Sequence, residues 1–460
     1  MQISQLYDIY LRHPSIRTDT RQLKQGDLFF ALKGPNFNGN AFATRAFELG
    51  AAYAIIDEAP DQSSPDGSQP APVNSDRLIV VPDVLSTLQE LALHHRRQFD
   101  IPFIAITGSN GKTTTKELVH ATLASTYTTY TTQGNLNNHI GIPLTILSVG
   151  KDAQFAVIEM GANHQKEIEA YCRYTLPTHG IITNVGKAHL EGFGGPEGVK
   201  KGKGELYDFL RSAQVPAIDS AAAAGTAFVL RDSADLMQMS RGIQHLITYG
   251  THDADITGGI ALSEALLKVD ITHGAATGPI QTQLVGDYNL PNVLVAVAVG
   301  KHFGVSDTAI RQAIEQYAPS NSRSQLIERD GLHIILDAYN ANPSSMRAAI
   351  ENFARMAIPS DRQRPSDLAA SPTSKVLILG AMAELGPESL AEHQAIIDLI
   401  GQYPWQQVVL VGGDFRHLSH PYLSFANSKE AGRWLAGVGL KDSYLLIKGS
   451  RSMKMEEVLG

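Results

Sequence analysis

Cysteine is almost missing from this 460-residue chain, where Cys172 stands alone. One thiol closes no disulfide within the chain and supplies no cysteine-rich zinc site, so a disulfide scaffold is excluded and a reducing compartment is expected. Charge is sparse as well. Asp, Glu, Lys and Arg make up 18% of the residues, against about 25% in an ordinary globular protein, which excludes a disordered chain or a long coiled coil. Basic residues are the minority, 38 Lys and Arg against 46 Asp and Glu, for a net charge of −8. That balance argues against a general nucleic-acid or anionic-membrane binder and leaves room for a local basic pocket. Apolar runs are short. None reaches the length of about 18 residues that a membrane-spanning helix needs. The opening MQISQLYDIYLRHPSI has no basic segment followed by an unbroken apolar one, so a cytoplasmic location is expected.

What the chain does have is length, and a repeated rhythm. At about 150 residues per domain, 460 residues suggest about three domains. DLFFAL (27–32) and AAYAIID (51–57) are short apolar runs in the first part. IPFIAIT (101–107), QFAVIEMG (154–161) and HGIITNVG (179–186) share one form, a buried strand running into glycine. Such unbroken runs suit a parallel sheet covered on both faces. KTTTKELVHATLAS (112–125) reads as a helix, and so does DYNLPNVLVAVAVGKHF (287–303), with Pro291 in its first turn. A second series follows: HIILDA (333–338), KVLILG (375–380), QVVLVG (407–412) and YLLIKG (444–449). Helix-length spacers between these strands imply right-handed βαβ units. The expected architecture is therefore α/β, with domains at about 1–97, 98–320 and 321–460. Residues 58–77 and 359–374, rich in Pro, Ser and Asp, read as surface insertions.

The strand at 101–107 enters TGSNGKTTTKE (107–117). A glycine turn between strand and helix aims backbone N–H groups and the helix dipole at one point, which favours phosphate. Thr107, Gly108, Ser109, Asn110, Gly111, Lys112, Thr113 and Thr114 would form this loop, with Lys112 reaching terminal phosphates and the Thr113 hydroxyl available to Mg²⁺. Only two residues separate Gly108 from Gly111, fewer than in the common GxxxxGK[ST] loop. The plainer alternative is a glycine turn with an exposed lysine.

Downstream residues admit two readings each. Glu159 ends the next strong strand, where parallel sheets face their ligands. It can serve Mg²⁺ or simply face solvent. His189, in TNVGKAHLEGFGG, follows another strand end and could be structural. Lys203 lies in VKKGKGELYD, where Lys200 and Lys201 make it look like one of a solvated run. Asn135, Asn137 and Asn138, in GNLNNHIGIP, can cap a helix or touch a ligand.

Taken together, these segments resemble the Mur ligase family, ATP-dependent amide-forming enzymes of peptidoglycan assembly. The shortened TGSNGKTT loop, EMGANH, TNVGKAHLEGFGG, Lys203-Gly204-Glu205 and GDYNLPN occur in that family's order. DTRQLKQGDLFFALKGPNFNG, NLNNHIGIPLT, DAYNANPSSM, MAELG and KGSRSMKMEEV are most similar to the member joining D-alanyl-D-alanine to UDP-N-acetylmuramoyl-tripeptide. The alternatives are a sister ligase adding the third amino acid and a folylpolyglutamate-type ligase. The resemblance implies that Lys203 is carbamylated by CO₂ and, as the carbamate, joins Glu159, His189 and Thr113 as Mg²⁺ ligands. It implies that Asn289 and Asn292 contact adenine, although Asn289 could also cap its helix. Arg323 and Asp337 would reach ATP from the third domain, so Lys112, Glu159, His189, Lys203 and Arg323 form the expected catalytic set. Thr20, Arg21, Asn36 and Asn38 would hold the UDP-sugar, and Asn137, Asn138 and Asn340 are expected to contact substrate. No nucleic acid or membrane partner is implied, and a monomer is expected. The chain departs from the family pattern at Thr20 (usually Ser), at Asn38-Gly39-Asn40 (usually Asp-Gly-His), at Ala338 (usually Ser) and at Ala381 (usually Asp). The hydroxyl and carboxylate lost at Ala338 and Ala381 are therefore not expected to be essential here.

Overall fold

The computed structural model describes residues 1–58, 75–212, 225–263, 266–320, 322–356 and 374–460. The two Pro/Ser-rich stretches fall largely outside those residues. Three α/β domains follow one another, each built on its own sheet. The first holds four short parallel strands, Ile16–Arg17, Leu28–Phe30, Tyr53–Ile56 and Leu78–Val80. A two-stranded hairpin, Lys33–Gly34 with Phe37–Asn38, stands apart from them.

The central sheet has nine strands. An interior strand, Phe103–Thr107, pairs in parallel with Phe155–Glu159 on one side and His179–Ile182 on the other. Phe103, Ile104, Ala105 and Ile106 are fully buried, as expected of a strand covered on both faces. One cover is the helix Lys112–Ala124. The helix Leu290–His302 packs on it, and its residues Leu290 and Asn292–Gly300 are all buried. A Cβ on Gly300 would come within 2.7 Å of Thr122, so glycine there sets how closely the two helices approach.

The far edge of this sheet was not legible in the sequence. Leu266–His273 and Ile280–Val285 continue it antiparallel beyond Ile256–Ser263. Ile280–Val285 alternates buried and exposed residues along its first four positions, so it carries no unbroken apolar run. The C-terminal sheet has six strands. Leu332–Asp337, Tyr444–Lys448, Lys375–Gly380, Gln407–Val411 and Leu423–Phe425 are parallel, while Gln325–Arg329 is an antiparallel edge. That edge strand is half exposed and departs from the all-βαβ expectation. Among the described residues, no helix is long and apolar enough to cross a membrane.

Candidate active site between the central and C-terminal domains

The strand Phe103–Thr107 ends in the glycine loop, and two glycines make that loop possible. Gly108 has φ +141°, and a Cβ there would lie 2.0 Å from the Thr183 hydroxyl; Gly111 has φ +78° and a Cβ there would crowd Asn292. Gly111 also precedes the helix Lys112–Ala124 without any side-chain cap, so the first helical N–H groups remain open to a ligand. Neighbouring side chains brace the loop. Ser109 Oγ donates to the Gly186 carbonyl at 2.8 Å, and the Asn110 N–H donates to Asn184 Oδ1 at 3.0 Å. Lys112 folds back and donates to the carbonyls of Gly108 (2.7 Å) and Ser109 (3.2 Å). Burial, with the nearby Arg323 charge, pushes its ammonium below the ordinary lysine value while Glu159 opposes the shift.

This loop opens on a cavity of about 690 Å³. Ser109, Asn110, Gly111, Lys112, Thr113 and Thr114 line it, and so do Asn137, Asn138, Glu159, His189, Asn289, Asn292, Arg323, Asp337 and Asn340. The structure thus brings together most of the residues singled out along the sequence. Thr107 and Gly108 lie behind the wall, where the Thr107 hydroxyl donates to the Met160 carbonyl. Thr20, Arg21, Asn36 and Asn38 are not in this cavity. Exposed Arg21 pairs with Asp19 at 2.7 Å, Asn36 is exposed, and Asn38 donates to Glu58 at 2.7 Å.

The open alternatives resolve by burial. Glu159 is 1% exposed, not solvent-facing. Its two carboxylate oxygens accept from Thr113 Oγ1 (2.8 Å) and Asn137 Nδ2 (2.7 Å). Asn138 behaves differently from its neighbour, accepting from the N–H groups of Ile140 and Gly141 where the next helix begins. Asn289 makes no capping bond. It donates to the Val285 carbonyl and accepts from Asn292, which in turn accepts from Thr115.

Lys203 is 1% exposed, unlike Lys200 and Lys201, so the solvated-run reading fails. Its Nζ donates to the carbonyl of Ala162 at 3.0 Å and lies 4.9 Å from the Phe193 ring centre. It stands behind the cavity rather than on its surface. Desolvation, with the charge of Lys112, holds its pKa well below 10.5 against the pull of Glu167 and Glu205.

The C-terminal domain closes the other side. Arg323 stacks its guanidinium 3.5 Å from the centre of the Tyr339 ring. Asp337 accepts from the Ser324 N–H and from Lys448 Nζ at 2.5 Å. Lys448 is 2% exposed and lines the cavity; it lies in the KGSRSMKMEEV string, yet only burial distinguishes it there. Asn342 donates to Asn110 of the glycine loop, and Glu384 meets His189 Nδ1 in a contact across the two domains. Ala338 and Ala381 are buried core residues. A Cβ on Gly413 would already come 2.3 Å from that of Ala381, which leaves little room for a larger side chain.

The donor set suits a hard divalent cation. Thr113 and Glu159 present a hydroxyl and a carboxylate on one wall, the oxygen ligands that Mg²⁺ prefers. No group of three or more His, Cys, Asp or Glu gathers for a metal among the described residues.

Comparison with known proteins fixes the family. The profile of the Mur ligase middle domain matches residues 106–300, that of the Mur ligase glutamate ligase domain matches 322–451, and that of the Mur ligase family catalytic domain matches 14–96. The UDP-N-acetylmuramoyl-tripeptide–D-alanyl-D-alanine ligase of Bacillus subtilis is 32% identical, over 96% of this chain and 92% of that protein. This chain belongs to the Mur ligase family. MurF from Acinetobacter baumannii superposes with a TM-score of 0.80 at 29% identity, covering 97% of this chain and 92% of that one. MurF ligase from Thermotoga maritima, solved in complex with ADP, also gives 0.80, at 25% identity over 98% and 97%. The family resemblance read from the motifs is thereby established, with its three-domain α/β architecture.

Proposed function

We propose that this Mur ligase joins D-alanyl-D-alanine to UDP-N-acetylmuramoyl-tripeptide, with cleavage of ATP to ADP and phosphate. One observation carries the reading: a phosphate-type glycine loop, its Thr113–Glu159 pair, and the Arg323 and Asp337 side chains of a second domain all line one cavity. The B. subtilis relative bears that activity in its name.

A peptide carboxylate is a poor acyl donor. Transfer of the γ-phosphoryl group to it creates an acyl phosphate, whose phosphate is a good leaving group. Lys112 and Arg323 stabilise the charge that develops on the transferring group. The dipeptide amine then attacks the acyl carbon, and the tetrahedral intermediate collapses to amide and phosphate. Thr113 and Glu159 would hold Mg²⁺, with His189 beside them, and the ion supplies neutralisation of phosphate charge. Asn289 and Asn292 flank the base, and Asp337 the ribose.

Lys203 is the proposed carbamate site. The amine that adds to CO₂ must be neutral, losing a proton as the N–C bond forms, and a buried lysine with depressed proton affinity meets that need. In the first domain, placed at 1–97, Thr20, Arg21, Asn36 and Asn38 face the UDP-sugar. Domains at 98–320 and 321–460 carry ATP and the dipeptide. The enzyme works in the cytoplasm as a monomer.

The test is phosphate release by the purified chain with ATP, Mg²⁺ and the UDP-tripeptide. D-alanyl-D-alanine, diaminopimelate, lysine and glutamate are each offered as acceptor. Release that depends on D-alanyl-D-alanine is expected. Release driven by one of the single amino acids would overturn the assignment. Lys112→Ala is expected to lower kcat about 100-fold at saturating ATP.

A further inference from the structure

A second cavity, of about 380 Å³, lies between the central and C-terminal domains and shares Ser344 and Ala348 with the first. The helix Pro343–Arg355 explains the partition. Ser344 and Ala348 are one turn apart and sit on the seam between the chambers, whereas Arg347 and Glu351, also one turn apart, line only the second. Lys187 and Glu392 complete its charged lining. Each cation is steadied by a carboxylate: Lys187 by Glu392 at 2.5 Å and Arg347 by Glu351 at 3.6 Å. Both cations remain half exposed, at 50% each. The Lys187 N–H also donates to Ser344 Oγ at 2.9 Å, which ties it to the seam.

We propose that this second cavity is the subsite for the C-terminal carboxylate of the incoming dipeptide, bound by Lys187 and Arg347. The dipeptide amine then projects past Ser344 and Ala348 into the main cavity. The proposal rests on the ligation reading above and adds where its acceptor is held. Two extended residues span about 7 Å, and the two chambers adjoin at Ser344 and Ala348, which line both. The cations of the main cavity have other roles in the ligation reading, Lys112 and Arg323 toward the transferring phosphoryl group and Lys448 toward Asp337. Lys112 is folded onto the loop carbonyls, Lys448 is paired with Asp337, and Arg323 is stacked on Tyr339. Lys187 and Arg347 are half exposed and each meets one carboxylate, so both keep donors for a ligand, and a guanidinium suits a carboxylate bidentately. Two cations against two carboxylates leave the chamber near neutrality. That balance fits a single carboxylate better than the two of a free acidic amino acid. Lys187 belongs to the central domain and Arg347 to the C-terminal one, so a ligand bridging them favours the closed arrangement.

The experiment measures initial rates of phosphate release with D-alanyl-D-alanine and with its C-terminal amide. For the unsubstituted enzyme, KM for the amide is expected to exceed that for the acid by about tenfold or more. Lys187→Ala and Arg347→Ala are each expected to raise KM for the acid about tenfold, leaving KM for the amide and for ATP unchanged. Equal KM values for acid and amide in the unsubstituted enzyme would overturn the subsite. So would variants that weaken acid and amide alike, since that pattern reports a disturbed interface rather than a lost carboxylate contact. Absence of any dipeptide-dependent release from the unsubstituted enzyme would instead overturn the ligation reading, and the subsite with it.

Discussion

Asn342 Nδ2 donates to Asn110 Oδ1 at 2.7 Å, joining the helix Pro343–Arg355 of the C-terminal domain to the glycine loop of the central one. The same Asn342 caps that helix, its Oδ1 accepting from the Ser345 N–H at 2.9 Å. One side chain therefore starts a helix and docks it on the phosphate loop. Serine caps as well as asparagine but is too short to span the gap. Asn342→Ala is expected to be about 1 kcal/mol less stable than Asn342→Ser in denaturant unfolding. Both variants should show a raised KM for ATP. Equal stability of the two would remove the capping role, and an unaltered KM would remove the docking role.

Lys203 carries a pH signature. Its folded-state pKa lies well below 10.5, so the native state resists protonation that the unfolded chain accepts. Its contribution is fully present above the unfolded value and is lost as pH falls toward the folded one. Lys203→Met removes that loss. The variant should gain stability over the parent progressively as pH drops from about 10.5, while losing most turnover. Denaturant midpoints across that range check the first part, and a constant difference would contradict it. Partial recovery of turnover of Lys203→Ala by added short carboxylic acids checks the second.

Lys448 and Asp337 form a largely buried pair, at 2% and 17% side-chain exposure. Removing one partner strands a charge, whereas removing both does not. Lys448→Met should cost about 3 kcal/mol, and the double variant with Asp337→Asn should cost less than the sum of the two single changes. Additive costs in a thermal or denaturant cycle would show that the pair contributes nothing jointly.

Arg323 needs its plane as much as its charge. Stacked 3.5 Å from the Tyr339 ring centre, it holds a direction that a lysine cannot copy. Arg323→Lys should lower kcat/KM for ATP about tenfold, and Tyr339→Phe should leave it near the parental value. Loss at Tyr339→Phe as large as at Arg323→Lys would shift the role to the phenol.

Local pattern made much of this molecule readable. The apolar runs at Phe103–Thr107 and Phe155–Glu159 are strands because a doubly covered parallel strand must be apolar throughout. Gly108 and Gly111 were visible because a strand-to-helix phosphate turn demands positive φ. Ile280–Val285 and Gln325–Arg329 were not, since half-exposed strands lack that run. Nothing along the chain separated Lys203 from Lys200, or Asn137 from Asn138.

The sequence by itself determined the succession of α/β units, the glycine loop and the family, because each depends on contacts between residues near in the chain or on ordered strings. The tertiary structure decided which polar side chains meet. Lys203 is set apart by burial under Phe193 and the Ala162 carbonyl, Lys448 by its pairing with a carboxylate 111 positions away, and Lys187 and Arg347 by a chamber that forms only where two domains close. Desolvation and Coulomb attraction act through space, at distances that chain spacing does not encode.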